Sequence, residues 1–362
     1  MTLKRRIGWM LSLGLACLIG SGCEKSGEGT SGEGTITAPP APVTPGTTGA
    51  KAGGEKSFKL VYIPKNTGNS YFDPVIEGFK KTGEEVGYEF TSVAPSTAEA
   101  TSQIPFIKAQ VQRGVNAIAI SPNSPDALKP ALKQAMAKGI KVVAIDADLE
   151  GNEDARDAAV LPVDFNIIGK SQVELMSSLI GGKGEFAILS ATTDAPNQNF
   201  WIRGMKETLK DPKYKDLKLV EIVYGDDEPQ KSQRETEALL TKYPKLKGII
   251  APTSVGLVAA AQALETAQAA ERVQLTGLGL PDQMRRFVKD GTVKKFALWD
   301  PAKMGQAGGY LIAGLIRGDI KAASGASFKA GTLGELKFGP KNTIVAGPPL
   351  VFDKNNIDQF KF

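Results

Sequence analysis

From Phe58 onward the chain alternates short β-branched runs with longer segments of helical period, and this alternation restricts the fold more than any other feature. The strand candidates are Leu60 to Ile63, Tyr88 to Val93, Ala117 to Ser121, Lys141 to Ile145, Ala159 to Val163, Glu185 to Ser190, Leu217 to Tyr224, Gly248 to Ala251, Val273 to Gly277 and Lys294 to Leu298. Helical patterns lie between them, such as Phe106, Ile107, Ala109, Gln110 and Val111, or the pair Leu239 and Leu240. Strand and helix repeated this regularly predict parallel sheets with helices on both faces. Ten candidates in about 240 residues suit two such sheets better than one, with the second series beginning near Val160 to Asn166. The expected fold is α/β, with two doubly wound parallel-sheet lobes.

In open parallel sheets ligands bind beyond the carboxyl ends of the strands, so two facing lobes would form a cleft walled by strand-end loops. The residues there are Lys65, Asn66, Asn69, Tyr71 and Phe72, then Ser121, Asn123 and Ser124, then Asp146 and Asp148. Further along come Thr192, Thr193, Asp194, Asn197, Gln198 and Asn199, then Pro252, Thr253 and Ser254, and finally Trp299 and Asp300. Sugar hydroxyls both donate and accept, and carboxylates and amides meet both needs. The C–H face of a sugar ring needs a flat apolar partner, which Phe72 or Trp299 can supply. Polar loops after strands are common in any fold, since Asn and Asp favour turns.

Some chemistries are excluded by what is missing. The chain has no histidine, and both cysteines, Cys17 and Cys23, precede the patterned region. A histidine-dependent triad, a cysteine nucleophile and a His/Cys zinc site are therefore impossible in the body, and so is an internal disulfide. No metal and no cofactor are expected. The formal charge of +5 falls to +2 without Lys4, Arg5 and Arg6, which gives no sign of a nucleic-acid partner.

Those three basic residues precede an apolar run from Ile7 to Gly22, the pattern of an export signal over residues 1–22. The run is short for a bilayer-spanning helix, which needs roughly 20 apolar residues. Ile19-Gly20-Ser21-Gly22-Cys23 resembles a bacterial lipobox, with Gly20 where leucine is usual, so Cys23 is the expected lipidation site. Residues 23–57 are rich in Gly, Ser, Thr, Pro and Ala, and repeat Ser-Gly-Glu-Gly-Thr at Ser26 and Ser31. Such a segment has too little apolar surface to order itself and is expected to be a disordered tether.

The body also resembles a known family. Ile63-Pro64-Lys65, Asn116-Ala117-Ile118, Ser124-Pro125-Asp126, Asp146-Ala147-Asp148, Asn197-Gln198-Asn199-Phe200-Trp201, Ile249-Ile250-Ala251-Pro252 and Leu298-Trp299-Asp300 are similar to the type I periplasmic binding proteins. Within these, the resemblance is to the ribose-binding class and its rhamnose-binding and Lsr autoinducer receptor branch. It implies a hinge between the lobes, the first formed by residues 58–164 plus about 301–330 and the second by 165–300 plus about 331–362. It further implies that Lys65, Asp146, Gln198, Trp299 and Asp300 stand at polar or hinge positions of the pocket, and that Pro252 lends a backbone carbonyl. Two positions depart from the Lsr pattern: Asn197 replaces an acidic residue and Ser254 replaces an alanine. A lost carboxylate removes a charge-assisted hydrogen bond to a hydroxyl, which turns the expectation toward rhamnose or a related monosaccharide.

The resemblance implies a monomeric, extracytoplasmic, membrane-tethered lipoprotein that performs no catalysis and delivers a sugar to an ABC permease. An autoinducer receptor, or a ligand sensor for a membrane kinase or chemoreceptor, remains an alternative. A lipid-anchored glycosidase is disfavoured, because Asp146 and Asp148 lie two apart on one strand end and do not flank a bond from opposite sides. The tether reading predicts that Cys23→Ser protein is exported yet recovered in the soluble fraction. A wild type already soluble, with its mature N-terminus elsewhere than Cys23, would refute it.

Overall fold

The computed structural model describes residues 57–362. The expected export signal, Cys23 and the tether lie outside the described residues, apart from Ser57 at the edge of the body. In chain order the elements begin β1 (Phe58–Ile63), α1 (Phe72–Val86), β2 (Tyr88–Ser92), α2 (Ile104–Gln112), β3 (Ala117–Ile120), α3 (Pro125–Ala137), β4 (Lys141–Ile145) and β5 (Ala158–Leu161). There follow α4 (Phe165–Ile180), β6 (Gly184–Ser190), α5 (Pro196–Thr208), β7 (Leu217–Tyr224), α6 (Pro229–Lys242), β8 (Leu246–Ala251), α7 (Ser254–Thr266), β9 (Gln274–Gly277), α8 (Pro281–Lys289) and β10 (Lys295–Leu298). The C-terminal part holds α9 (Pro301–Arg317), β11 (Ser327–Lys329), β12 (Glu335–Lys337), β13 (Thr343–Val345) and β14 (Leu350–Asp353).

The first sheet runs β13-β5-β4-β3-β1-β2 and the second β7-β6-β8-β9, all parallel. A parallel bridge from Leu278 to Ala297 attaches β10 beside β9, and β14 pairs antiparallel with β10. Helices cover both faces, so central strands such as β3, Ala-Ile-Ala-Ile, are buried at every residue. Helix starts are written into the strand-end loops. Proline opens α3, α5, α6, α8 and α9, where its missing N–H and fixed φ carry no penalty. Ser124, Asp164 and Asp300 cap α3, α4 and α9 with side-chain oxygens.

The ten strands anticipated are present within two residues of their expected ends. The C-terminal division differs from expectation. Residues 331–362 are expected wholly in the second lobe, yet β13 completes the first sheet by pairing Thr343, Ile344 and Val345 with Ala159, Val160 and Leu161. The physical reason is the edge of β5, which would otherwise present unpaired backbone groups. The chain thus passes between lobes three times: after β5, after β10 and between β13 and β14.

Helix α9 follows the second of these passages and packs on α1 and β4 of the first lobe. Its approach to α1 is close enough that a Cβ at Gly78 would lie 2.2 Å from the Ala302 carbonyl oxygen, and one at Gly305 2.1 Å from that of Val75. Both obstacles are backbone, which cannot rotate away. Gly78→Ala should therefore force the helices apart at a cost of about 1 to 3 kcal/mol. Scanning calorimetry should show Tm lowered by several degrees, and an unchanged Tm would refute the close-packing argument.

Candidate ligand cleft

The loop after β1 is held rigidly before any ligand-facing group is considered. The Gln103 amide donates to the carbonyls of Pro64 at 3.0 Å and Ser121 at 2.9 Å, and accepts from the Asn123 N–H at 2.9 Å. The Asn123 amide in turn donates to the Lys65 carbonyl at 2.9 Å. This clamp aims the Lys65 side chain across the gap between lobes, where its ammonium donates to Asn197 Oδ1 at 2.8 Å. After β4, Asp146 adopts φ of 70°, a left-handed conformation that Asp tolerates better than most residues. Its Oδ1 accepts from the Tyr71 hydroxyl at 2.6 Å and its Oδ2 from Asn197 Nδ2 at 3.1 Å. The Tyr71 oxygen accepts from Trp299 Nε1 at 2.7 Å.

On the second lobe, Gln198 Nε2 donates to the Pro252 carbonyl at 2.6 Å, while its Oε1 accepts from the Ser190 hydroxyl at 3.3 Å. The Gln198 N–H also donates to Asn197 Oδ1 at 2.9 Å. The loop after β7 contributes Asp227, at φ of 54°, whose Oδ1 accepts a short hydrogen bond from the Thr253 hydroxyl.

These groups line one cleft. The first lobe supplies Lys65, Asn69, Tyr71, Phe72 and Asp146, the second Asn197, Gln198, Trp201, Asp227, Pro252, Thr253, Ser254, Leu278 and Leu298, and Trp299 lies where the chain crosses. Eight of the nine residues singled out from sequence thus lie together: Lys65, Phe72, Asp146, Asn197, Gln198, Pro252, Ser254 and Trp299. Asp300 does not join them. Its carboxylate caps α9 by accepting from the Ala302 N–H at 3.1 Å, which makes it a hinge residue. Asp148 also lies off the cleft, paired through both oxygens with the buried Arg156 guanidinium.

Asp227 was missed, although Gly225-Asp226-Asp227 follows a strand and the strand-end rule applies to it equally. Asn69, Tyr71 and Thr253 stood among the loop candidates without being singled out. Leu278 and Leu298 stand at the ends of β9 and β10 but carry no polar signal, while Trp201 lies inside α5 and is brought to the cleft by packing, its indole N–H without a hydrogen-bond partner among the described residues.

Burial dominates the electrostatics. It pulls the Lys65 ammonium below its ordinary pKa, and the carboxylates of Asp146 and Asp227 partly offset this. Burial likewise raises both aspartates, opposed at Asp146 by Lys65 and the Tyr71 hydrogen bond, and at Asp227 by the Thr253 hydrogen bond and Lys65. The cleft therefore combines one ammonium, two carboxylates and amides with aromatic and leucine surface: groups for many hydroxyls and for an apolar ring face.

Comparison with known proteins agrees with this geometry. A sugar ABC transporter structure from Actinomyces odontolyticus is 42% identical, covering 85% of this chain and 100% of that one, with a TM-score of 0.67. An ABC transporter solute-binding protein from Clostridium phytofermentas with bound L-rhamnose is 35% identical over 84% of this chain and 98% of its own, with a TM-score of 0.81. The D-ribose/D-allose-binding protein of Pseudomonas aeruginosa is 25% identical over 65% of this chain and 75% of that protein. The periplasmic binding protein domain profile matches residues 60–320. With the paired parallel sheets and the cleft between them, these matches identify the chain as a member of the periplasmic binding protein family, within the solute-binding proteins of sugar ABC transporters.

Proposed function

We propose that this protein captures a neutral monosaccharide, L-rhamnose foremost, in the cleft between its lobes and presents it to an ABC permease at the outer face of the membrane, as a monomer tethered through Cys23. The observation that carries this reading is the cleft's mixed lining. Lys65 and Asp227 have hydrogen-bonding capacity left for hydroxyls, with Asp146 and the amides beside them, while Phe72, Trp201, Trp299, Leu278 and Leu298 offer apolar surface to a ring face or methyl group. A 6-deoxyhexose combines both characters. The C. phytofermentas protein supports the choice, since it holds L-rhamnose in a related fold. A ligand touching both lobes favours their closed arrangement by its differential affinity, and that arrangement is what a permease would read. Titration calorimetry against a panel of monosaccharides should give a micromolar or tighter Kd for L-rhamnose, equivalent to about 8 kcal/mol. Absence of both heat and thermal shift across the panel would sink the reading.

Asn197 bears on the choice of sugar over autoinducer. Its amide is held between two groups of the first lobe, accepting from Lys65 and donating to Asp146. An aspartate there could still accept from Lys65, but its second oxygen would face the Asp146 carboxylate with no proton between them. Asn197→Asp should therefore destabilise the ligand-free protein at neutral pH by about 1 to 3 kcal/mol, the cost of an unmet buried polar pair. As pH falls, the introduced carboxyl becomes protonated and can donate to Asp146 as the amide does. The Tm deficit relative to wild type should shrink accordingly in calorimetric scans from about pH 7 to about pH 4, the range over which raised carboxyl groups take up protons. A deficit independent of pH would mean the amide proton is not what matters. The same substitution restores the carboxylate of the Lsr pattern, so binding of autoinducer relative to rhamnose should improve.

A further inference from the structure

The hydrogen-bonding capacity of the cleft is unevenly spent. Both Asp146 oxygens are engaged, by Tyr71 and Asn197. The Asn197 amide is engaged through Lys65, Gln198 and Asp146, and the Gln198 amide through Pro252 and Ser190. Asp227 differs from these. Its Oδ1 accepts from Thr253, whereas its Oδ2 has no hydrogen-bond partner among the described residues. The residue is 7% exposed and lines the cleft, and Oδ2 is not among the sealed unpaired atoms such as Asn66 Oδ1. A largely buried carboxylate oxygen with an unmet acceptor site calls for a donor from whatever enters.

We propose that Asp227 is the second lobe's ligand-binding carboxylate, accepting a ring hydroxyl of the bound sugar through Oδ2 while Thr253 holds Oδ1. The assignment rests on the sugar-binding reading and deepens it. Asp227 takes over the role that an acidic residue at position 197 would have filled, leaving Asn197 as the bridge between lobes. The left-handed backbone at Asp227, with φ of 54°, turns its carboxylate off the end of β7 and is available to Asp, Asn and Gly. With one ammonium facing two carboxylates, the cleft favours a neutral hydroxyl donor over an anionic sugar acid.

Asp227→Asn keeps the backbone conformation and the acceptor for Thr253 but replaces Oδ2 with a donor. Calorimetry with L-rhamnose, and with analogues each lacking one ring hydroxyl, separates recognition from folding. Wild type should lose about tenfold or more in affinity on removal of one particular hydroxyl, and Asp227→Asn should lose a similar factor toward L-rhamnose itself. The variant should then discriminate L-rhamnose from that one analogue much less than wild type does, because an amide N–H can offer the hydroxyl oxygen only an uncharged hydrogen bond. A merely structural Asp227 would weaken every ligand by the same factor, and this result overturns the proposal. So does an Asp227→Asn protein that binds L-rhamnose as tightly as wild type. Asp227→Gly, which also accepts a left-handed backbone, gives the same comparison should the asparagine variant misfold. A wild type that binds no sugar overturns the sugar reading and the assignment together, whereas sugar binding unaffected at Asp227 overturns the assignment alone.

Discussion

The hydrogen bonds that join Lys65 and Asp146 of the first lobe through the Asn197 amide of the second govern the cleft. An ammonium and a carboxylate removed from water each carry a desolvation penalty that only close partners offset. Here a shared partner, the Asn197 amide, lies across the gap, 2.8 Å from the Lys65 ammonium and 3.1 Å from the Asp146 carboxylate. The charges of the first lobe are thus satisfied in part by an element of the second, with Tyr71 of the first lobe completing the partners of Asp146. The relative position of the lobes is coupled to the electrostatics of the cleft.

That coupling extends to the hinge. Trp299, at the second crossing, donates to the Tyr71 hydroxyl, which donates in turn to Asp146. Trp299 also packs on Trp201 with ring centroids 5.8 Å apart, so the crossing segment touches α5 of the second lobe as well as the loop leading into α1 of the first. One residue further, Asp300 caps α9 and fixes where the first lobe resumes. The glycine-mediated contact of α9 with α1 then anchors the segment in the first lobe. A shift of the hinge must therefore disturb hydrogen bonds inside the cleft, a physical route by which occupancy and lobe arrangement inform each other.

Much of this was legible in the residues. The period of the strands and the prolines and caps that open the helices are local properties, and they locate strand ends whatever the lobes do. Most cleft residues follow from strand ends alone, because a parallel sheet gathers its carboxyl-end loops at one edge. The C-terminal stretch was harder to read. Strands of three or four residues such as β11, β12 and β14 leave little periodic signal, and β13 is a strand because β5 offers it an edge.

The α/β class, the two series of strands, the loops from which a cleft could be built and the absence of histidine or cysteine chemistry from the body all follow from the order and kind of the residues alone. Tertiary structure decided which polar groups spend their hydrogen bonds on the protein and which retain capacity. Asp148 and Asp146 look alike in the sequence, yet one pairs with Arg156 off the cleft and the other is shared by Tyr71 and Asn197 within it. Asp300 and Asp227 likewise exchange their expected importance, the first serving a helix end and the second the cleft. The reason is that a carboxylate's role depends on the donors within about 3 Å of it. Around Asp146 and Trp299 the bonded partners are 75 and 228 positions apart in the chain, a separation that no local pattern of residues encodes.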